Sequence, residues 1–239
     1  MGYSSISIPL VITLVICFSV DADDSYEKCF GSPAKYSKES LNDFVNELQT
    51  NATVASFWNA SRDEGSTNQV YGLASCRGDL DLSDRMKCLA HVANLIAHSD
   101  CVNDGQFFLN DYCSIKVSSN NFFGILDFDE SNTGTGVYSR KGAFTRNNIS
   151  DSITTFMKGT ADAACTDTSY YHDAQVYNPT ENVTIYGMSQ CTRDLPVDTD
   201  RCKVCLELAR STLDTSKLGG TVVSGSCQVR YETYKFLNN

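Results

Sequence analysis

An internal repeat constrains this chain more than any other feature. The run Val-Tyr-Gly-Leu-Ala-Ser-Cys at 70–76 returns as Ile-Tyr-Gly-Met-Ser-Gln-Cys at 185–191, and each copy leads through a short polar stretch into a helix-like segment with further cysteines. A solenoid would repeat every ~20–50 residues, whereas these copies lie a whole domain apart. The sequence therefore predicts two domains of one kind in tandem.

The 239 residues divide accordingly. We assign 1–22 to a signal peptide, 23–129 to a first domain, 130–136 to a linker and 137–239 to a second domain. The linker has the small, polar composition that is typical of flexible connections. Each domain has about 100 residues, which suffices for a hydrophobic core but leaves a role for cross-links.

The N-terminal segment and four acceptor motifs predict export from the cell. The apolar run 6–20 is too short to span a bilayer and ends in small residues that suit a signal peptidase. No later apolar run or hydrophobic tail predicts a membrane span or a lipid anchor. Sequons for N-glycosylation stand at Asn51, Asn59, Asn148 and Asn182. We expect a secreted glycoprotein.

The charge balance excludes some classes of partner. The formal net charge is −10. Proteins that bind nucleic acids or anionic membrane surfaces need basic patches, and here the Lys and Arg residues are scattered. We therefore expect no nucleic-acid partner, although an acidic balance does not by itself identify any other partner.

Hydrophobic periodicity predicts two helices in each half. Ser40 is expected to cap the first helix, whose apolar stripe runs through 41–48, and Asp81 or Ser83 the second. The second half repeats this order, and Gly219-Gly220 is expected to end its last helix. Residues 26–33, with a glycine and a proline, are predicted as a loop.

Strand patterns complete an α+β fold class for each half. The predicted strands are 69–75, 106–109, 113–117, 183–189, 221–224 and 228–234. The pattern does not reveal the order in which these strands pair.

Loss of the signal peptide removes Cys17 and leaves ten cysteines. An even number in an oxidising compartment favours disulfides. Zinc is the alternative, and the spacings that it could use are Cys88-x2-His91, His98-x2-Cys101 and Cys202-x2-Cys205. Secretion favours disulfides over zinc, because oxidised sulfur cannot ligate a metal. We expect no metal site.

The repeated motif resembles that of a known family. Val-Tyr-Gly-Leu-Ala-Ser-Cys-Arg-Gly-Asp at 70–79, followed by cysteines on a helix, is similar to the plant cysteine-rich repeat secretory proteins with ginkbilobin-homologous domains, also called domain of unknown function 26. A Cys-x8-Cys-x2-Cys signature marks that family. For each domain the resemblance implies two helices packed on an antiparallel, about five-stranded sheet that disulfides brace.

The family's pairing, carried over by position, implies four disulfides: Cys29–Cys101, Cys88–Cys113, Cys191–Cys202 and Cys205–Cys227. In the first repeat Arg85 stands where the second signature cysteine belongs, so Cys76 lacks its family partner. Cys165 also has no family partner. Two interpretations stay open for Cys76 and Cys165: buried free thiols, or a fifth bridge that joins the domains.

No catalytic constellation is present in the sequence. The chain has three histidines, and it lacks both the Gly-x-Ser-x-Gly context of a serine nucleophile and a phosphate-binding glycine loop. The acidic residues Asp79, Asp81 and Asp84 are explained as loop and cap residues. We predict a protein without enzymatic activity and without a cofactor.

Some single-domain relatives bind mannose, and the resemblance indicates where their sugar-binding Asn, Arg and Glu would fall. In the first domain these positions hold Phe30, Phe107 and Ser118, none of which matches. In the second domain Glu232 matches, but Thr221 stands near the arginine position. Glu232 is therefore a single weak candidate for carbohydrate binding, and we expect it on a solvated strand face.

The remaining class is a secreted interaction module, because braced domains present rigid surfaces at low entropic cost. Trp58, Tyr170-Tyr171 and Phe122-Phe123 are candidate exposed binding residues unless they fill the core or the interdomain seam. We predict a non-enzymatic recognition module of the plant apoplast or cell surface that acts in defence or signalling by binding an extracellular protein. The alternative is a mannose-type antifungal lectin that binds cell-wall glycan. The oligomeric state stays open.

Overall fold

The computed structural model describes residues 25–128, 136–140, 142–144, 148–196 and 200–238. The predicted signal peptide lies outside these residues, as does the predicted linker except for Gly136. The domain limits assigned from the sequence therefore stay a prediction. Within the described part of the chain, no helix combines the length and the apolar character that crossing a membrane requires.

The first half forms two helices on one antiparallel sheet. Its elements are β1 (Tyr26–Pro33), α1 (Lys38–Ala55), β2 (Phe57–Arg62), β3 (Val70–Cys76), α2 (Leu82–His98), β4 (Asn103–Leu109) and β5 (Cys113–Ser118). The five strands lie in the order β1-β4-β5-β3-β2. Every neighbouring pair is antiparallel.

The second half repeats this architecture. Its elements are β6 (Gly136–Ser139), α3 (Asn148–Thr166), β7 (Tyr171–Asn178), β8 (Val183–Cys191), α4 (Arg201–Thr212), β9 (Gly219–Val223) and β10 (Cys227–Glu232). The order β6-β9-β10-β8-β7 is that of the first sheet. The predicted class, two domains that each pack two helices on an antiparallel five-stranded sheet, is confirmed.

The predicted apolar stripe of α1 forms one side of the first core. Leu41, Phe44, Val45 and Leu48 are buried there against the sheet and α2. The helix begins three residues earlier than expected, because the Ser37 hydroxyl, rather than that of Ser40, accepts the cap hydrogen bond from a first-turn backbone N–H. The stripe was predicted correctly, but not the cap.

The cap of α2 follows the sequence more closely. The Asp81 carboxylate accepts a hydrogen bond of 2.8 Å from the backbone N–H of Asp84. This satisfies one of the donors that a helix leaves free in its first turn. Leu89, Val92 and Ile96 then face the core at helical spacing. The Asp81 alternative among the two predicted caps is confirmed.

The glycine of the repeated Tyr-Gly motif is where the first helix of each domain approaches its sheet most closely. A Cβ atom on Gly72 would lie 2.5 Å from Leu48 Cδ1. One on Gly187 would lie 2.5 Å from Phe156 Cε1 and 2.8 Å from Met157 Sδ. The motif therefore contains glycine because the helix leaves no room for a side chain.

Two sequence predictions were wrong. Residues 26–33 form the edge strand β1 rather than a loop, since at an edge a proline removes no ladder hydrogen bond from the sheet interior. Gly219-Gly220 does not end a helix: α4 stops at Thr212, and the glycines begin β9. There they avoid a clash, because a Cβ on Gly219 would meet the Glu232 carboxylate at 2.0 Å.

The close approach at Gly187 can be tested by adding a methyl group. We expect Gly187→Ala to lower the free energy of unfolding by about 1–3 kcal/mol, because the added Cβ would force Phe156 or Met157 to move. The measurement is urea unfolding followed by circular dichroism.

Gly159 supplies the matched control. It lies exposed on α3, and a Cβ there would meet nothing within 4 Å. Gly159→Ala should raise the free energy of unfolding by about 0.5–1 kcal/mol, because alanine loses less backbone entropy in a helix. Equal effects of the two substitutions would contradict the packing argument.

Candidate functional site

The two domains meet through the sheet faces that point away from the helices. All seven residues of β3 are buried, although only alternate residues of a strand can face the helices. On the other face, the ring of Tyr71 packs edge-on against Phe123 at 5.7 Å between centroids. The Ser75 hydroxyl lies 3.5 Å from the side-chain nitrogen of Gln190 in the second domain. The second domain, together with the first domain's own segment after β5, thus covers the outer face of the first sheet.

Polar contacts fix the register of this seam. The Gln190 side chain donates a hydrogen bond to the Cys76 carbonyl at 2.9 Å and accepts one from the Gly78 N–H at 3.1 Å. Arg193 donates to the Ser56 hydroxyl at 3.1 Å. Gly78 also has no space for a side chain, since a Cβ would lie 2.4 Å from the Tyr171 ring. These contacts hold the domains in one relative orientation.

A buried ion pair ties the C-terminal segment to the first domain. Arg77 and Asp79 pair at 2.5 Å, and their side chains are 2% and 0% exposed. Arg77 also donates to the Phe236 carbonyl at 3.1 Å, while the Asn238 N–H donates to the Asp79 carboxylate at 3.0 Å. The end of the second domain therefore crosses onto the first, a connection that we call the C-terminal clasp (Arg77, Asp79, Phe236 and Asn238).

The clasp changes the acidity of Asp79. Burial alone would raise the pKa of this carboxyl, but the hydrogen bonds and the charge of Arg77, together with backbone N–H groups, outweigh burial and lower the pKa. Folding therefore favours the ionised carboxylate. The stabilisation is present above the unfolded-state pKa, and it is lost as the pH falls through the folded-state pKa.

The first domain reaches across in the same way, through the segment after β5. Asp127 forms a buried ion pair with Lys116, and its backbone N–H donates to the Ser226 hydroxyl at 2.8 Å. Phe122 lies under the Lys116 ammonium, 4.2 Å from ring centroid to nitrogen. The sequence left open whether Phe122-Phe123 are exposed or cover the seam; the structure places them at the seam, half-buried.

An open cleft of about 620 Å³ lies between the domains beside this seam, and we call it the interdomain cleft. The first domain contributes Asp111, and the second contributes Arg140, Arg230 and Glu232. Arg230 bridges the two domains, with 3.1 Å to Asp111 and 3.2 Å to Glu232. Charged groups of both signs therefore lie at the base of the cleft.

Aromatic side chains border the interdomain cleft. Tyr138 and Tyr234 are 40% and 41% exposed, and Val137 beside them is 47% exposed. Arg140 lies over the Tyr234 ring at 4.3 Å from the centroid. A rim of exposed tyrosines above buried charge suits a ligand with both polar and apolar parts.

Glu232, the weak sequence candidate, lies in this cleft together with Thr221. The glutamate is buried, not solvated as expected, because β10 is an inner strand that the other domain covers. One of its carboxylate oxygens, Oε2, has no hydrogen-bond partner and lies 3.9 Å from Arg140. Burial raises the pKa of Glu232, and the charges of Arg230 and Arg140 oppose this only in part. Its assignment to carbohydrate binding stays a prediction.

The corresponding positions of the first domain form no such site. Phe107 is buried and packs with Phe30 in a small apolar cluster. Ser118 is also buried. The two domains therefore differ at this position: one presents apolar rings and the other charged groups.

The other aromatic candidates, Trp58 and Tyr170-Tyr171, differ in their exposure to solvent. Trp58 on the edge strand β2 is 39% exposed. For Tyr170 and Tyr171 the sequence left open whether they are exposed or fill the core or the seam, and both are buried. Tyr171 packs at the seam against Gly78, and the Tyr170 ring belongs to the second core.

The structure bonds most cysteines in pairs. These pairs are Cys29–Cys101, Cys191–Cys202 and Cys205–Cys227. Cys113 lies in bonding contact with both Cys88 and Cys76. The alternative zinc sites thereby lose Cys101, Cys202 and Cys205 as ligands, since these sulfurs are oxidised.

The hypothesis of an interdomain bridge between Cys76 and Cys165 was wrong. The Cys76 sulfur lies beside Cys88 and Cys113 within its own domain, and Cys165 is free. The Cys165 sulfur lies 3.4 Å from Cys202, so it faces the second core rather than the seam. Burial, and to a lesser extent the charge of Asp162, raises the pKa of Cys165 to about 11.

The predicted glycosylation sites lie in different settings. Asn51 is on α1 and donates to the Glu47 carbonyl at 2.9 Å, Asn59 is on β2, and Asn182 is exposed beside Tyr177. Asn148 is the first residue of α3, and its side chain lies outside the described residues. Their occupancy stays a prediction.

Removing the charge of Asp79 tests the C-terminal clasp. We expect Asp79→Asn to lower the free energy of unfolding at pH 7 by about 3–5 kcal/mol, because Arg77 would stay buried without its counter-charge. As the pH falls from the unfolded-state pKa of about 3.9 through the lower folded-state pKa, the wild-type carboxyl also becomes protonated, so the two stabilities should converge. Urea unfolding over a series of pH values measures this.

Asp162→Asn is the matched control, since the Asp162–Lys158 pair is exposed on α3. Its unfolding curve should stay close to that of the wild type at every pH. A loss in Asp79→Asn that persists unchanged in acid would show that charge is not its cause.

The raised pKa of Cys165 predicts slow alkylation. Since the thiolate is the reactive form, its rate with iodoacetamide should keep rising about tenfold per pH unit up to a pH of about 11. The rate for a free cysteine in solution should level off above about pH 8.5. Mass spectrometry of the fragment that contains Cys165 measures the rate, and a plateau near pH 8.5 would contradict the burial argument.

Comparison with known proteins agrees with this architecture. The chain is 34% identical over 215 residues to cysteine-rich repeat secretory protein 38 of Arabidopsis thaliana. The aligned region covers 88% of this chain and 82% of that protein. It is 29% identical over 245 residues to an antimicrobial ginkbilobin-2-like protein of Castanea crenata, with 99% and 98% covered.

Solved structures give the same fold. The tandem DUF26 ectodomains of the Arabidopsis thaliana cysteine-rich receptor-like proteins PDLP5 and PDLP8 superpose with TM-scores of 0.67 and 0.69 at 21% and 23% identity. Each comparison covers 88% of this chain and 98% of the ectodomain.

The family model described as salt stress response/antifungal matches the chain twice, at residues 16–120 and 130–234. The two matches correspond to the two halves in which the sequence repeat, the sheet order and the helices recur. Relatives of this kind are named as secretory proteins, and the protein is secreted and extracellular. The chain belongs to the salt stress response/antifungal (DUF26) family, in its tandem form.

Proposed function

We propose that this protein is a non-enzymatic recognition module of the plant apoplast or cell surface, and that it binds an extracellular protein through the interdomain cleft. The observation that carries the proposal is the cleft itself, where exposed Tyr138 and Tyr234 border the buried charges of Arg230 and Glu232. Tyrosine and arginine are the residue types that dominate binding energy at protein interfaces.

The rigidity of the seam supports this role. Residues of both domains line the cleft, so its shape depends on the C-terminal clasp and on the Arg230–Asp111 contact. A preformed cleft loses little conformational entropy when a partner binds. A role in defence or in cell-surface signalling is part of the proposal, and it accords with the antimicrobial and receptor-like relatives.

The charges in the cleft favour an extended peptide segment of a partner. Arg140, which is half exposed, can pair with a carboxylate, and the exposed part of the Tyr138 ring can pack against apolar or cationic side chains. Glu232 Oε2 is an acceptor that the protein leaves without a hydrogen bond, but it is buried, so a ligand reaches it only after the side chain turns outward. This set of groups matches a protein ligand of mixed polarity.

A cell-wall glycan of mannose type is the second candidate. It is favoured by the same unsatisfied oxygen of Glu232 and by the tyrosine faces, on which sugar rings commonly stack. It is disfavoured by the single match to the sugar-binding positions of the family. Both candidates use one cleft, so one set of variants tests both.

The test is affinity capture from extracellular wash fluid of plant tissue, with immobilised wild-type protein and a Tyr138→Ala/Tyr234→Ala double variant. We expect protein partners to be depleted at least about tenfold on the variant, since each lost aromatic anchor costs about 1–2 kcal/mol. Tyr177→Ala, at an exposed position on β7, is the matched control and should retain them.

Calorimetric titration with mannose and with mannan separates the candidates. No saturable heat, together with capture that mannan does not compete, supports the protein partner. Saturable heat that is lost in Glu232→Gln supports the glycan. Capture that is equal on the wild type, the double variant and Tyr177→Ala would exclude the cleft as the binding site.

A further inference from the structure

Three sulfur atoms converge on the helix side of the first sheet, where only two can bond. Cys76 ends β3, Cys113 begins β5 and Cys88 lies on α2. Their sulfurs all lie within 4.8 Å of one another, and Cys113 contacts both of the others. Because a sulfur forms one disulfide at a time, Cys88–Cys113 and Cys76–Cys113 are alternative bonds. The third cysteine is then a thiol.

We propose that this three-cysteine cluster (Cys76, Cys88 and Cys113) is a thiol–disulfide exchange site that makes Cys88 open to modification. The Cys76 thiolate attacks the Cys113 sulfur and forms the Cys76–Cys113 bond. The Cys88–Cys113 bond breaks, and its electron pair leaves with the Cys88 sulfur, which takes up the proton that Cys76 lost. Two electrons and one proton are conserved, so the step needs no oxidant or reductant.

The backbone geometry indicates which bond prevails. The Cα atoms of Cys88 and Cys113 are 5.9 Å apart, within the usual range of about 4.4–6.8 Å. Those of Cys76 and Cys113 face each other on neighbouring strands at 4.0 Å, slightly below it. Cys88–Cys113 is therefore the major form. Cys76 is available as the attacking thiol because Arg85 occupies the position of its family partner.

Exchange changes what holds α2. In the major form a disulfide ties this helix to β5. In the minor form both bonded sulfurs belong to the sheet, and α2 is held without a disulfide, by the packing of Leu89, Val92 and Ile96 and by hydrogen bonds such as that from Asn110 to the Cys88 carbonyl. The helix keeps its core contacts, so the fold persists in either form. Exchange thus releases one thiol without unfolding the domain.

The two thiols differ in their access to solvent molecules. Cys76 borders a pocket of about 30 Å³ at the seam, far smaller than the one beside Cys88. Cys88 borders an open cleft of about 370 Å³, together with Lys87, His91 and Tyr112. Small external disulfides and electrophiles should therefore react at Cys88, once exchange has freed it.

The test labels the native protein and maps its bonds. The Cys165→Ser background removes the other free thiol of the described chain. The folded protein is first treated with iodoacetamide. It is then denatured at about pH 5, because thiols are protonated there and disulfides do not reshuffle. The thiols that remain are blocked with N-ethylmaleimide. Cleavage before aspartate separates the cysteines, because fragments 63–78, 84–99 and 111–126 carry Cys76, Cys88 and Cys113 respectively.

Without iodoacetamide we expect mainly fragment 84–99 joined to 111–126, with maleimide on 63–78. With iodoacetamide, the label should accumulate on Cys88 in 84–99 while 63–78 becomes joined to 111–126. Label on Cys76 with the Cys88–Cys113 bond intact would overturn the proposal. An unlabelled protein that keeps this bond through prolonged exposure would overturn it as well.

Cys76→Ser distinguishes exchange from simple opening. This variant keeps Cys88–Cys113 as its only bond in the cluster and should fold. Labelling of Cys88 should fall at least about tenfold, since a sulfur held in a disulfide is not a nucleophile. Undiminished labelling of Cys88 in Cys76→Ser would show that Cys76 takes no part. These readouts do not depend on whether the interdomain cleft binds a partner.

Discussion

The burial of both faces of the central strands is the constraint on which the rest of the structure depends. A two-helix layer can cover only one face of a five-stranded sheet, and every residue of β3 is nevertheless buried. The second cover comes from the segment after β5, through contacts such as Tyr71 with Phe123, and from the other domain, through contacts such as Gln190 with the Cys76 carbonyl. The tandem arrangement is therefore part of the packing and not merely two independent units on one chain.

The candidate interdomain site follows from that constraint. The interdomain cleft begins where the two outer sheet faces stop touching. There Arg230 of the second domain forms an ion pair with Asp111 of the first. The three-cysteine cluster lies at the other side of the same strands, where β3 and β5 meet α2. Both features thus arise where the covered sheet meets a second layer.

Sequence patterns predicted the helices better than the edges of the sheets. Leu41 and Phe44 lie where helical periodicity placed them, because a buried helix face repeats at short range. The edge strand β1 was missed, since an edge tolerates glycine and proline and shows no strong alternation. The cap shifted from Ser40 to Ser37, as serines near a helix start are interchangeable in sequence and only the backbone path selects one.

The residues of the candidate binding site were harder to predict, because their exposure depends on the tertiary fold. Glu232 was picked out by its spacing from Cys227, yet spacing did not show that it is buried. The sequence left open whether Tyr171 is exposed or buried, and it fills the seam. Whether a side chain is exposed depends on contacts with residues far away in the chain, and a pattern of neighbours does not contain them.

By itself, the sequence determined the repeat and the α+β class, because these depend on local periodicity. Only the tertiary structure decided that Cys76 meets Cys113 and Cys88 rather than Cys165, and that one domain's charges line a cleft with the other's. The physical reason is that bonding and burial depend on distances of a few ångströms between residues that are remote in sequence, and only the packed chain fixes those distances.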